Sequence, residues 1–268
     1  MIYKMSGSGN DFVMADGRTH PVARWTPELI REVCARGTGV GADGLAVLEP
    51  GSRAGAVRFH FFNSDGTRAP MCGNGALCAI RLAAWLELGS RGGLVLETDA
   101  GEVTGRCLPG DDERVEIVTP PVGELVEPDI ELASGERSIH FTTVGVPHLV
   151  VRVDDLALVP LLQRGRELRL HPAIPGGCNV NFVANGDLGW AMRTYERGVE
   201  AETLACGTGA VAATAILARS GEAEPPLQFR TASGTTLTIS ADLAPDRSLE
   251  RPRLAGPARL VFRAVLGG

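Results

Sequence analysis

The pentapeptide CGNGA begins at Cys72 and a near copy, CGTGA, begins at Cys206; each runs directly into an apolar stretch of helix-forming residues, ALCAIRLAAWL and AVAATAIL. A motif that recurs with the same continuation constrains the fold more than any single segment, because each copy must be one supersecondary unit in its own surroundings. The chain therefore reads as two related halves, each placing a cysteine at the N-terminus of a helix. Helices that are apolar nearly all round suit enclosure by the rest of a domain. Each is thus expected to be the central helix of its half. Upstream, GNDFVMAD and NVNFVAN form a looser match.

Two modest cores fit within 268 residues. Apolar, β-rich segments bounded by Gly, Pro and Asp recur as AVRFHFFN, GLVLET, RVEIVT, HLVVRV, NVNFVA and TTLTIS. A third helical segment, TPELIREVCARG, opens with Thr26 as N-cap, Pro27 at the first helical position and Glu28 in the first turn. Many strands with few helices make the class α+β. The expected halves are 1–112, carrying Cys72, and 113–254, carrying Cys206, with about 255–268 a candidate strand to return to the first. The Pro- and Glu-rich stretch 120–138 reads as a boundary or a long crossing loop.

Six cysteines (Cys34, Cys72, Cys78, Cys107, Cys178, Cys206) are spread along the chain without a CxxC pair, and the five histidines are equally scattered. Neither a disulfide framework nor a zinc site is suggested, so thiols are expected and no metal. A net charge of -6 argues against nucleic acid, whose binders concentrate Lys and Arg, and favours a small-molecule partner. The opening segment MIYKMSGSGNDFVMAD lacks a long apolar region, and no apolar run approaches the roughly 20 residues of a membrane-spanning helix. A cytoplasmic protein is the expectation.

The placement of the paired cysteines has chemical meaning. The first turn of a helix carries N–H groups without intrahelical partners and the positive end of the helix dipole, so an anion is welcome there. Gly73, Gly75, Gly207 and Gly209 leave those amides without covering side chains, and a carboxylate fits such a place. The same field favours thiolate over thiol. Two opposed cysteines, one charged and one protonated, can take a proton from one face of a carbon and return one to the other, which inverts a stereocentre. A one-cysteine hydrolase would show no matched second cysteine.

Other residues carry less meaning in isolation. Cys34, Cys78, Cys107 and Cys178 read as buried small hydrophobes. Asn10, Asn63 and Asn179 would ordinarily be turn residues, Glu196 and Arg197 a solvated charge pair, and His148 a hydrogen-bonded structural histidine. A non-catalytic ligand-binding protein, or a thiol-redox protein using Cys72 and Cys206, are readings from other functional classes.

At GSGNDFVMAD, GVGADG, FFNSDGTRAPMCGNGALC, GVPHLVV, NVNFV and YERGVEAETLACGTGAVAA the sequence resembles the diaminopimelate epimerase family, with the motifs in the family's order and spanning nearly the whole chain. The resemblance implies two pseudosymmetric domains, each a mostly antiparallel β-sheet wrapped around a central helix. It also implies a homodimer and no cofactor. The activity it implies is interconversion of LL- and meso-diaminopimelate on the route to lysine and peptidoglycan, with another amino acid as the alternative substrate of a same-fold racemase. On matching positions it assigns Cys72 and Cys206 as the two bases and His148 and Glu196 to the thiol protonation states. Gly73, Asn74, Gly207 and Thr208 would hold the reacting carboxylate, and Asn10, Asn63, Asn179, Glu196 and Arg197 the rest of the substrate, Arg197 through a forked ion pair with the distal carboxylate. Leu77 and Val146 stand where many members have Arg and Asn, and the ERGVEAETLACG segment is one residue longer than the short form.

Overall fold

In a computed structural model, which describes residues 1–111 and 113–267, the chain divides into two compact units, Met1–Val118 with Ala255–Gly268, and Thr119–Leu254. The first unit contains β1 (Ile2–Gly7), β2 (Asn10–Asp16), α1 (Pro27–Cys34), β3 (Gly44–Pro50), β4 (Ala56–Asn63), β5 (Arg68–Ala69), α2 (Gly73–Trp85), β6 (Leu94–Thr98), β7 (Gly101–Cys107) and β8 (Arg114–Val118). The second contains β9 (Glu136–Val144), β10 (Val146–Val153), α3 (Leu161–Arg169), β11 (Asn179–Gly186), β12 (Gly189–Glu196), β13 (Ala201–Thr203), α4 (Gly207–Arg219), β14 (Leu227–Arg230) and β15 (Thr236–Leu243). The last strand, β16 (Leu249–Ala264), begins in the second unit and ends in the first.

Within the first unit the strands are ordered β1-β2-β3-β4-β6-β7-β8-β16, and β16 pairs back onto β1 from Ala264↔Ile2 to Ala258↔Gly7, closing an eight-stranded barrel. Closure leaves no long unpaired strand edge. In the second unit the order is β9-β10-β11-β12-β14-β15-β16, and the chain just before β9 joins β9 through Val122↔Val144 and Val126↔Phe141. The Pro- and Glu-rich stretch thus belongs to the second unit and covers the flank of β9. Arg114–Val118 pairs with β7 from Cys107↔Val115 to Gly105↔Ile117, so it falls in the first unit and the boundary lies after residue 118, later than the 1–112 expectation.

Each unit runs through the same sequence of steps: a hairpin, a helix, a strand parallel to the hairpin's second strand, a return strand, a helix, and a strand parallel to that return strand. The parallel pairs are β2–β3 and β4–β6 in one unit, β10–β11 and β12–β14 in the other. Matching the registers makes Gly44 equivalent to Asn179 and Asn63 to Glu196. By the same registers Phe12 is equivalent to His148, and Asn10 to Val146. The loose sequence match of GNDFVMAD to NVNFVAN is therefore not the structural one: β2 corresponds to β10, and NVNFV corresponds to β3.

Strand alternation explains the layering. Val13, Ala15, Leu45, Val47 and Phe62 form one core with Ile30 and Val33 of α1, while the opposite face of the same strands covers α2. Leu149, Val151, Val180, Phe182 and Tyr195 likewise pack with Leu161 and Leu168 of α3, and the opposite face covers α4. Successive strand residues point to opposite sides, so each strand serves two helices. Helix α2 is buried from Asn74 to Ile80, and α4 from Gly209 to Ala218, as enclosure by their units requires. Thr26 caps α1 by accepting a hydrogen bond from the Leu29 amide at 3.3 Å. Among the described residues no helix is long and apolar enough to cross a membrane.

Candidate active-site residues

Cys72 is the N-cap of α2 and Cys206 the N-cap of α4, both with extended backbone, φ -136° and -131°. An N-cap residue keeps non-helical dihedrals while its carbonyl takes the first helical hydrogen bond; here Ala76 N donates to the Cys72 carbonyl at 2.7 Å and Ala210 N to the Cys206 carbonyl at 3.0 Å. The thiols are set differently. Cys72 Sγ accepts from the Gly75 amide at 3.5 Å, whereas Cys206 Sγ lies 3.8 Å from the Thr208 hydroxyl. Cys72 is half-buried and Cys206 is buried.

None of the six cysteines is in a disulfide. Burial pushes Cys34 and Cys178 up to about 11, and pushes Cys78 further still, with Cys72 nearby adding to the effect. A thiol so raised is neutral and inert at ordinary pH. Cys78, two turns into α2, is a core residue.

Around Cys72 the structure joins Asn10 and Asn74: the Asn74 amide donates to Asn10 Oδ1 at 2.7 Å, and Asn10 Nδ2 donates to Asp43 at 2.9 Å. Asp43 and Asp11 in turn accept from Arg36, and buried Lys4 donates to Asp11 at 2.6 Å and to the Gly41 carbonyl. Burial alone would raise the Asp11 carboxyl, but the hydrogen bonds from Arg36 and Lys4 hold it below the usual carboxylate range. This box fixes the start of β2 and hence Asn10. Asn63 is exposed at the end of β4, and its side chain donates to the Thr67 hydroxyl at 3.0 Å.

In the second unit, Asn179 Oδ1 accepts from the Arg197 amide at 2.9 Å, and the Arg197 guanidinium donates to the Gly177 carbonyl at 3.2 Å. Glu196 ends β12, opposite Ala201. His148 is fully buried on β10, and burial, with the Arg197 charge adding to it, lowers its pKa to about 3. It is a neutral imidazole across the physiological range. Val146 opens β10 with 37% of its surface exposed, where its first-unit equivalent is Asn10.

Three of the four glycines differ in what surrounds them. A Cβ on Gly73 would meet nothing within 4 Å, so the approach to this first turn is open. On Gly207 it would come within 2.4 Å of Leu254, and on Gly209 within 2.1 Å of Asn181 Oδ1. A side chain at Gly207 or Gly209 would therefore have to displace Leu254 or Asn181, so packing inside the unit also favours glycine at these two positions.

Asn181 and Thr194 are residues that the sequence reading passed over. Asn181 Nδ2 lies 3.2 Å from His148 Nδ1 and Thr194 Oγ1 donates to Asn181 Oδ1 at 3.0 Å, all three side chains being buried. The signal was the alternation Asn179-Val180-Asn181-Phe182, which puts the amides on the α4 face and the hydrophobes on the α3 face. The first unit has Phe12, Ala46 and Phe61 at the equivalent positions, with the two rings in an edge-to-face contact at 5.9 Å. One cysteine helix thus starts over an aromatic floor and the other over a polar one.

Two topologically matched units, each enclosing a central helix, make up a fold that solved structures share. The chain superimposes on a phenazine biosynthesis protein of the PhzF family from Bacillus anthracis with a TM-score of 0.73 at 14% identity, covering 99% of this chain and 98% of that one. It superimposes on a probable proline racemase from Agrobacterium radiobacter with a TM-score of 0.67 at 18% identity, covering 99% and 93%. The family is narrower than the fold. The chain matches the Diaminopimelate epimerase family profile over residues 2–121 and 140–245. It is 44% identical to a diaminopimelate epimerase from Gemmatimonas aurantiaca over 99% of this chain and 98% of the relative. It is 39% identical to one from Aquifex aeolicus over 98% and 96%. The chain belongs to the diaminopimelate epimerase family and is an epimerase.

Proposed function

We propose that this protein interconverts LL- and meso-diaminopimelate without a cofactor, by proton transfer between the substrate α-carbon and the thiols of Cys72 and Cys206, in the supply of lysine and peptidoglycan precursor. The observation that carries the reading is the matched pair of cysteine N-caps in a chain of this family. In this reading one cysteine, as thiolate, takes the α-proton from one face while the other, as thiol, gives a proton to the opposite face. The C–H electron pair passes into the carboxylate as enolate-like charge, which helix-end amides around Gly73, Asn74, Gly207 and Thr208 stabilise as it develops. The two thiols end the turnover with their protonation exchanged.

His148 and Glu196 act on the protonation of the thiols, and Asn10, Asn63, Asn179 and Arg197 hold the substrate beyond its reacting centre. Arg197 is suited to the distal carboxylate because a guanidinium binds such a group through two parallel N–H donors. A cytoplasmic homodimer belongs to the same reading.

Incubation with LL-diaminopimelate in deuterated water tests it. Meso product with deuterium at the inverted α-carbon is expected. Absence of exchange, with turnover of another amino acid in its place, would overturn the substrate assignment in favour of a same-fold racemase.

A further inference from the structure

The polar floor beneath α4 fixes more than packing. The Asn181 amide donates through Nδ2 to the Leu149 carbonyl at 3.0 Å, and Nδ2 also faces His148 Nδ1 at 3.2 Å. A backbone carbonyl only accepts, so the nitrogen end of the amide must lie on that side. The hydroxyl of Thr194 donates to the oxygen end at 3.0 Å, which fits the same orientation. The second amide hydrogen is then directed at His148 Nδ1, which receives it through its lone pair. A neutral imidazole with a lone pair on Nδ1 carries its hydrogen on Nε2.

That Nε2 is buried and meets no hydrogen-bond partner among the described residues. A buried N–H without an acceptor is unfavourable until an acceptor arrives. Asn181 also lies against the first turn of α4, since a Cβ on Gly209 would sit 2.1 Å from Asn181 Oδ1 and 3.1 Å from Cys206 Sγ. The network therefore borders the cysteine of its own unit. No counterpart exists in the first unit, where Phe12, Ala46 and Phe61 hold the equivalent positions.

We propose that Asn181, oriented by Thr194 and the Leu149 carbonyl, is a positioning residue that fixes His148 as the Nε2–H tautomer, so that the ring serves the reaction as a hydrogen-bond donor to negative charge and not as a base. The inference rests on the epimerase reading for its kinetic consequence; the tautomer stands apart from it.

NMR of the whole protein carrying 15N-labelled histidine, with the His148 signals identified by their loss in His148→Gln, tests the assignment. The hydrogen is expected on Nε2 with Nδ1 unprotonated. In Asn181→Asp the carboxylate accepts where the amide donated, so the hydrogen moves to Nδ1. Turnover of LL-diaminopimelate then falls about 10²-fold in kcat, the low end for loss of one preorganised donor, with KM little changed. If the buried carboxylate prevents folding, Asn181→Ala removes the donor to Nδ1 and is expected to give a mixture of tautomers with a smaller loss of kcat. A wild-type ring protonated at Nδ1 overturns the proposal. So does a variant that loses activity while keeping the Nε2–H tautomer, or one that switches tautomer with kcat unchanged. A wild-type protein that does not turn over LL-diaminopimelate defeats the substrate reading alone, since the tautomer measurement needs no substrate.

Discussion

At the scale of single residues, position in the fold separates groups of the same type. Cys34 and Cys178 are buried thiols raised to about 11, while Cys72 and Cys206 stand at helix N-caps. Replacing either N-cap cysteine by alanine is expected to lower turnover by about 10² to 10⁴-fold, the usual contribution of a positioned acid or base. The melting temperature should move by no more than about 4 °C, equivalent to roughly 1 kcal/mol in a chain of this size. Full epimerase activity in both variants would sink the two-thiol mechanism. His148 makes a second prediction. Its folded pKa, about 3, lies below the ordinary 6.5, so the unfolded chain binds a proton there that the folded chain refuses. The stability from keeping this ring neutral is complete above pH 6.5 and is lost as pH falls toward 3. The slope from this site is about 1.4 kcal/mol per pH unit, and His148→Gln should flatten denaturant-derived stability against pH by that amount across this window. An unchanged slope would contradict the burial. The paired cysteines were legible because their motif repeats. Asn181 was not, because one amide within a strand gives no spacing signal until its neighbours are known.

At the scale of elements, the two cysteine helices look alike in sequence and differ in what surrounds their first turns. The Cβ position of Gly73 is open, and that of Gly209 is occupied by Asn181 Oδ1 at 2.1 Å. Gly73→Ala should therefore leave stability within about 0.5 kcal/mol, as at an unobstructed surface site, while raising KM by crowding the helix-end amides. Gly209→Ala should cost about 1–3 kcal/mol, as overpacking does, and lower kcat by displacing Asn181. Denaturant unfolding and steady-state kinetics on the pair separate these outcomes; equal stability in both would show that the two first turns are packed alike. The same contrast explains which elements the sequence revealed. Helices α2 and α4 announce themselves as apolar runs, and α1 by Thr26 and Pro27. Helix α3 was hidden because its buried face, Leu161, Arg164, Gly165 and Leu168, has a charge and a glycine where a hydrophobic stripe is looked for. Arg164 is buried against Glu136, with Nη2 2.8 Å from the carboxylate, and a Cβ on Gly165 would sit 2.6 Å from Tyr195. Both residues are explained by partners remote in sequence.

At the scale of the whole molecule, the repeat is one of topology more than of residues. Parallel pairs recur at the same steps, yet Phe12 matches His148 and Ala46 matches Asn181, so the two units share a fold and differ in the side chains beneath their cysteine helices. Residue similarity had paired β2 with β11 because both carry an asparagine before Phe-Val; only the hydrogen-bond register assigns β2 to β10. The C-terminal strand has a distinct part in this plan. Its residues from Ala258 to Ala264 supply the pairing partner of β1 and close the first barrel, whereas the second unit keeps the earlier part of β16 beside β15. Truncation after Leu254 should therefore act on one unit first. Removing the last segment strips β1 of one of its two neighbours along Ile2–Gly7 and leaves β2 in place, so amide hydrogen exchange should show loss of protection at the β1 amides that face β16. Val150 and Phe182, fully buried in the second unit and bonded through β10 and β11, should still exchange slowly. Retained protection at those β16-facing amides would mean that β16 is not what holds that side of the strand. Simultaneous loss of protection in β10 and β11 would mean that the units unfold as a single cooperative body rather than as two.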